Sequence, residues 1–228
     1  MPTVKPTVTL AETRSPGGAH LSLRSHDGHF HLYVDGHSLM STRATHSETH
    51  LAEVGCALLG DGAGGRVLIG GLGFGFTLRR VLELVPAAKV QVVELLPQVV
   101  EWNRQFLQGF NGALVDDPRV EIVIDDFYRV LAGVAMQSID VILLDVDNGP
   151  SALVDKGNSR LYTPAGLRAL MRALRPGGRA VIWSARPNAP FLDRLKTMGF
   201  QADAILTKGY SKAKGGTYTL FVADRPAG

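Results

Sequence analysis

The strongest local signal in this sequence is the stretch Val67-Leu68-Ile69-Gly70-Gly71-Leu72-Gly73-Phe74-Gly75-Phe76-Thr77. It begins with apolar residues typical of a buried strand, continues through a glycine-rich turn and enters a segment with helical spacing of apolar residues. Gly71, Gly73 and Gly75 let the backbone turn tightly and let a ligand approach where a Cβ atom would clash. The stretch therefore predicts a strand, a ligand-binding turn and a helix. A tight connection without a ligand is the alternative.

Strand-like and helical patterns alternate along the rest of the chain. The predicted strands span residues 66–69, 89–93, 120–124, 140–144 and 180–183. The predicted crossover helices span residues 77–85, 98–108 and 164–174. Such alternation predicts an α/β, Rossmann-like fold with a parallel sheet and helices on both faces. The stretches 202–206 and 218–222 have no helical period between them and predict a closing antiparallel pair.

The first 45 residues have a different pattern. Apolar and polar residues alternate over 20–24 and 30–34 around a turn, which predicts a β-hairpin, and 38–41 predicts a third short strand. Thr45 and Glu48 have the spacing of a capping box, so we expect a helix over 46–59. The sequence thus predicts a small N-terminal β element over 1–45 and a ligand-binding domain over 46–228.

Length, composition and charge exclude several classes of protein. The 228 residues allow one ordinary α/β domain plus a small element, and 45% hydrophobic with 20% charged residues is typical of a globular protein. A net charge of +3, spread evenly, does not predict a nucleic-acid partner. The single cysteine fits a reducing compartment, and the sequence has neither a signal-peptide pattern nor a long apolar run. We expect a cytoplasmic protein with no membrane partner, and the sequence leaves a homodimer open.

Acidic residues follow the second and third strands of the predicted sheet. Glu94 ends the strand after the glycine turn, where doubly wound folds place the carboxylate that binds a ribose diol. Asp125 and Asp126 follow the next strand, and a carboxylate there can accept a hydrogen bond from an adenine amino group. The alternative for Asp125 and Asp126 is capping of the helix that begins near Phe127.

Further candidates for chemistry follow the fourth strand and flank the predicted cleft. Asp145 and Asp147, beside a Gly-Pro break, are candidates for acid–base work or for holding an amine, with capping as the alternative. His46 is a candidate base, although a solvated helix-start histidine is the alternative. Tyr162 is a candidate wall of an acceptor pocket, with core packing as the equal alternative. His29 and His31 without a nearby carboxylate make a poor ligand set, so we predict no metal site.

The arrangement resembles the methyltransferase fold that binds S-adenosylmethionine, and more closely the spermidine synthase (polyamine aminopropyltransferase) family. The resemblance spans about residues 30–223, and its carriers are the segments 32–36, 70–75, 93–94, 140–145, 149–150, 161–163 and 174–178, together with Glu48 and Asp125. It implies a seven-stranded sheet with an antiparallel last strand, preceded by a small β element. It also implies that Glu94 holds the ribose, Asp125 the adenine and Asp145 the reacting amine.

Several positions depart from that family. Gly73 stands where the family has an aspartate that grips the amine of the donor, Leu39 replaces a glutamine and His46 a tyrosine. An unpartnered ammonium group is costly to bury, so these changes disfavour a polyamine acceptor. Our first expectation is therefore methyl transfer from S-adenosylmethionine to a small nucleophilic acceptor. The alternatives are aminopropyl transfer from decarboxylated S-adenosylmethionine to an amine, and a non-catalytic nucleoside-binding module.

Overall fold

The computed structural model describes residues 6–60, 64–146, 156–210 and 217–228. The strands are β1 (Val8–Arg14), β2 (His20–His26), β3 (His29–Val34), β4 (His37–Ser41), β5 (Arg66–Gly70), β6 (Lys89–Glu94), β7 (Val120–Ile124), β8 (Ile139–Leu144), β9 (Leu174–Ser184), β10 (Gln201–Lys208) and β11 (Thr217–Asp224). The helices are α1 (His46–Cys56), α2 (Phe76–Leu84), α3 (Pro97–Trp102), α4 (Gln108–Asn111), α5 (Phe127–Gly133), α6 (Pro164–Ala173) and α7 (Ala189–Thr197).

The larger sheet has seven strands in the order β10-β11-β9-β8-β5-β6-β7. Strands β5 to β9 run parallel to one another, and β11 is antiparallel to both of its neighbours, β9 and β10. The α/β, Rossmann-like prediction with an antiparallel last strand is therefore confirmed. Because β5, β6 and β8 are parallel, their carboxyl ends lie at one edge of the sheet. The chain reverses its winding at β5, which opens a crevice at this edge where ligands of such sheets bind.

The smaller sheet has four antiparallel strands in the order β1-β2-β3-β4, so it extends the predicted hairpin on both sides. The third short strand predicted over 38–41 is β4. Strand β1 lies at the edge of its sheet, and its residues are exposed or half-buried. Its sequence therefore shows little apolar–polar alternation, so the strand was not predicted.

Two hydrophobic clusters cover the two faces of the larger sheet. Leu68 and Ile69 are neighbours on β5 but belong to opposite clusters, as the two-residue period of a strand requires. Leu21, Leu23 and Leu32 of the smaller sheet belong to the same cluster as Ile69. The small sheet is thereby fixed on the face that carries the start of α2, and burial of each leucine contributes about 1.5–3 kcal/mol.

Two predicted helices differ in detail from the structure. The helix expected over 98–108 is divided into α3, a wide turn over Asn103–Leu107 and α4. Helix α1 ends at Cys56, and its predicted capping box is wrong, because the Thr45 side chain makes no capping hydrogen bond and the carboxylate of Glu48 accepts from Ser47 Oγ at 2.6 Å. In the described part of the chain, every helix is too short or too polar to span a membrane.

Candidate functional site

A cavity of about 340 Å³ lies at the carboxyl edge of the parallel strands, between the two sheets. The glycine turn and the acidic residues after β6, β7 and β8 line one part of it: Gly71, Gly73, Glu94, Asp125, Asp126 and Asp145. Strand β4, helix α1 and the closing strands line the other: Leu39, Met40, Ser47, Glu48, Trp183 and Tyr218. The predicted turn and three predicted strand ends therefore do meet at one cavity, whose second half is largely apolar and aromatic.

The glycine turn is held in place by two buried asparagines. Gly71, Gly73 and Gly75 all have positive φ, at 88°, 52° and 81°, which favours glycine over any residue with a Cβ atom. The Nδ2 of Asn103 donates to the carbonyl oxygen of Gly73 at 2.9 Å, and the Nδ2 of Asn111 donates to the carbonyl oxygen of Phe74. The sequence did not predict either asparagine as a site residue, because the segment around them contains several other polar side chains and only burial distinguishes these two.

Glu94 ends β6 with its carboxylate turned back toward the glycine turn. One oxygen accepts from the backbone N–H of Leu72 and the other from that of Leu96, both at 2.9 Å. Only 8% of the residue is exposed, so burial raises its pKa, while the backbone amides oppose that rise. The backbone amides of Gly73 and Leu95 also act on this carboxylate, and the residue lines the cavity.

Asp125 and Asp126 are adjacent in sequence, but their side chains make different contacts. The Asp126 carboxylate caps α5 by accepting from the N–H of Arg129 at 2.9 Å, and it pairs with Arg160 at 3.1 Å. The capping alternative therefore accounts for Asp126, although the residue also lines the cavity. Asp125 pairs with the Arg129 guanidinium at 3.3 Å, and its side chain is 29% exposed. Asp125 is thus the one placed to meet a ligand's donor group.

Asp145 follows β8 directly and lines the cavity next to the glycine turn. Its backbone N–H donates to the carbonyl of Gly70 at 3.0 Å, which continues the pairing of β8 with β5. Asp147, its predicted partner, lies outside the described residues.

The structure does not place His46 or Tyr162 on the wall of the cavity. The ring of His46 stacks on that of His50 with centroids 5.9 Å apart, and its backbone N–H donates to the carbonyl of Gly209. Tyr162 is 5% exposed and packs edge-on against Phe191 at 5.5 Å between centroids. Core packing, the equal alternative for Tyr162, therefore accounts for its position, and neither side chain is among the described residues that line the cavity.

Trp183 and Tyr218 form an aromatic wall in the second part of the cavity. The two side chains lie on neighbouring strands, β9 and β11, and their ring centroids are 4.9 Å apart. The sequence did not predict Tyr218 as a cavity residue, because its stretch indicates only one strand of the closing antiparallel pair. Aromatic faces of this kind attract a cationic amine.

Glu48 is the functional candidate that the sequence reasoning assigned to the wrong role. It lines the cavity from helix α1 and is 9% exposed. Burial raises the pKa of its carboxyl group, against the hydrogen bond from Ser47. The capping-box spacing gave Glu48 a local partner in Thr45 and so concealed its position in the cavity.

A Glu48→Gln substitution is expected to raise the melting temperature of the ligand-free protein at pH 7.5. A carboxyl group whose pKa is raised by folding destabilises the folded state once the pH exceeds the unfolded pKa, because the unfolded chain ionises first. The glutamine does not titrate and can still accept from Ser47 Oγ. Thermal unfolding between pH 4 and 8 measures this, and the two melting temperatures should converge near pH 4, below the unfolded value of about 4.3. A variant that is less stable throughout this range would contradict the assigned burial penalty.

Comparison with known proteins finds one family and a consistent set of relatives. The model of the spermine/spermidine synthase domain matches residues 49–195. A polyamine aminopropyltransferase of Aeropyrum pernix is 32% identical over 151 residues, 64% of this chain and 46% of that protein. One of Mycobacterium tuberculosis strain H37Rv is 31% identical over 158 residues, 68% of this chain and 29% of that protein.

Among solved structures, the spermidine synthase from Thermotoga maritima has a similar fold. It superposes with a TM-score of 0.76 at 20% identity, over 96% of this chain and 73% of that chain. At this identity the likeness shows the fold alone. The chain spans less than half the length of the curated relatives described above.

Proposed function

We propose, because the chain belongs to the spermine/spermidine synthase family, that it transfers an aminopropyl group from decarboxylated S-adenosylmethionine to a small amine. The matched relatives are named for aminopropyl transfer, and none of those described supports methyl transfer. The first expectation from the sequence is therefore corrected in favour of its alternative. The observation that carries the proposal is a single cavity lined by Glu94, Asp125 and Asp145.

The carboxylates of the cavity have separate roles in this reaction. Glu94 accepts hydrogen bonds from the ribose hydroxyls, and Asp125 accepts one from the adenine amino group. These contacts fix the nucleoside, so that the sulfonium lies near the glycine turn and Asp145. The carbon attached to the positive sulfur is already activated. Alignment of the donor and the acceptor in one site therefore accounts for much of the rate acceleration over the uncatalysed reaction.

The transfer forms one bond and breaks one. The acceptor nitrogen attacks the terminal carbon of the aminopropyl group that is attached to sulfur, forming a C–N bond. The C–S bond breaks, and its electron pair stays on sulfur, which leaves neutral methylthioadenosine. Asp145 orients the attacking amine and accepts the proton that its nitrogen loses. Trp183 and Tyr218 face the acceptor and exclude water from it.

A product assay tests the proposal. The protein is incubated with decarboxylated S-adenosylmethionine and a panel of small mono- and diamines, and methylthioadenosine is measured by chromatography. We expect methylthioadenosine to form only when an accepted amine is present. A parallel series with S-adenosylmethionine should give no S-adenosylhomocysteine. Formation of S-adenosylhomocysteine alone would restore methyl transfer, and methylthioadenosine binding without either product would favour a binding module.

Glu94→Gln is expected to weaken methylthioadenosine binding roughly 10- to 100-fold, as loss of a charge-assisted hydrogen-bond pair implies. Glutamine is the better replacement, because its amide oxygen still accepts from one of the N–H groups of Leu72 and Leu96, whereas alanine would leave both without an acceptor. Calorimetry measures the affinity. Glu121→Gln on β7, where the exposed carboxylate accepts from Gln91 Nε2, is the matched control and should bind as the wild type does. Equal affinity in all three proteins excludes Glu94 from the ribose site.

A further inference from the structure

A small recess adjoins the main cavity beside the glycine turn. Its volume is about 10 Å³, and Glu48, Gly71, Gly73 and Asp145 line both it and the main cavity. A space of this volume accommodates one water-sized group. A primary ammonium group has about that size, so the recess can receive the end of an amine chain that enters from the main cavity.

Glu48 brings an uncompensated charge to this recess. The residue is 9% exposed, and Ser47 Oγ is the one side-chain donor that bonds its carboxylate within the residues that the structure describes. No lysine or arginine of those residues forms an ion pair with Glu48. A buried carboxylate without a cation is costly, and burial raises the pKa of this one accordingly. A ligand that carries its own cation into the recess would remove that cost.

The glycine turn itself supplies no charge at this point. Residues 66–78 contain no acidic side chain, and the space beside Gly73 is occupied by Met40, whose Cε lies 2.7 Å from the position of a Cβ atom there. Glu48 lines the adjoining recess from α1, and its backbone carbonyl accepts from Thr77 Oγ1, in the first turn of α2, at 3.4 Å. The carboxylate beside the turn is therefore contributed by another element of the fold.

We propose that Glu48 binds the primary ammonium group at the end of the donor's aminopropyl chain. This inference rests on the proposed function, because the aminopropyl donor supplies the ammonium. With the ribose at Glu94, the chain that leaves the sulfur runs along Gly71 and Gly73 into the recess. Asp145, at the mouth shared with the main cavity, remains for the acceptor amine. Glu48 is thus a determinant of donor specificity that recognises the amine and not the nucleoside.

Two ligands separate recognition of the amine from recognition of the nucleoside. Decarboxylated S-adenosylmethionine carries the aminopropyl chain, whereas methylthioadenosine has the same nucleoside without the amine. In Glu48→Gln we expect affinity for the donor to fall roughly 10- to 100-fold, the value of a hydrogen bond to a charged group, while affinity for methylthioadenosine changes less than about twofold. Calorimetric titration of both ligands into both proteins gives the comparison.

The controls use a second glutamate of the same helix and the second acid of the recess. Glu53 lies on α1 and pairs with Arg80 at 2.8 Å outside the cavity, so Glu53→Gln should leave both affinities unchanged. Asp145→Asn should lower turnover far more than it lowers donor affinity. If Asp145→Asn, and not Glu48→Gln, removes the preference for the donor, Asp145 binds the ammonium and the inference is overturned.

A measurement on the wild type keeps the inference testable whatever the variant does. The wild type must bind the donor more tightly than a sulfonium analogue whose propyl chain lacks the amine, and equal binding of the two overturns the inference. If a folded Glu48→Gln protein loses affinity for the donor and for methylthioadenosine by the same factor, the inference is also overturned, since Glu48 would then be structural. If the ligand preference depends on Glu48 but no amine is aminopropylated, the proposed function fails and the inference stands as a binding site.

Discussion

Asp145→Asn is expected to lower the rate of aminopropyl transfer on the order of 10²–10⁴-fold, the contribution of a positioned general base. Asparagine keeps the shape of the side chain but cannot accept the proton that the acceptor nitrogen loses. The backbone of residue 145 is held by its N–H bond to the carbonyl of Gly70 at 3.0 Å, so the substitution should not move it. Steady-state kinetics at saturating donor measures the loss in kcat.

The same variant separates a role in chemistry from a role in donor binding. Donor affinity should change less than about threefold, because the interaction is made with the acceptor and its transition state. Asp203→Asn, on the exposed face of edge strand β10, removes an equal charge away from the cavity and should retain full activity. A parallel drop in donor affinity and kcat in Asp145→Asn would assign Asp145 to the donor instead.

The candidate site divides into residues that a sequence can place and residues that it cannot. Glu94, Asp125 and Asp145 each follow a strand, and parallel strands bring their carboxyl ends to one edge. Their convergence therefore follows once the strands are recognised. Glu48 reaches the cavity only because α1 packs against the larger sheet and against α2, a tertiary contact that no local spacing reports. For Tyr162 the sequence left a pocket wall and core packing equally open, and the structure places its ring in the core.

The fold was predictable to a similar extent, for a related reason. Buried strands such as β5 and β8 are continuous apolar runs and stand out in the sequence. Strand β1 and helix α7 were missed. Helix α7 begins with the sequence Asn188-Ala189-Pro190, in which Asn188 caps the helix and the proline occupies its first turn, a start signal that we did not use. The features that the sequence did not predict are mostly packing contacts between one element and another.

Gly71→Ala is expected to destabilise the protein by about 2–5 kcal/mol and to abolish transfer, the sum of a left-handed backbone and an overpacked contact. Gly71 has φ 88°, and a Cβ atom there would collide with the carbonyl oxygen of Asp145. That oxygen belongs to the residue proposed to accept the proton, so relief of the collision must displace either the turn or Asp145. Denaturant unfolding measures the stability, and the product assay measures the transfer.

Gly18 provides a control with nearly the same backbone conformation. It lies between β1 and β2 with φ 89°, and no heavy atom beyond its chain neighbours lies within 4 Å of an added Cβ atom. Gly18→Ala should therefore cost only the left-handed strain, about 1–2 kcal/mol, and should keep its activity. The excess loss in Gly71→Ala, about 1–3 kcal/mol, measures the collision with Asp145. If the two variants lose the same stability and Gly71→Ala stays active, the turn does not approach residue 145 as closely as the structure has it.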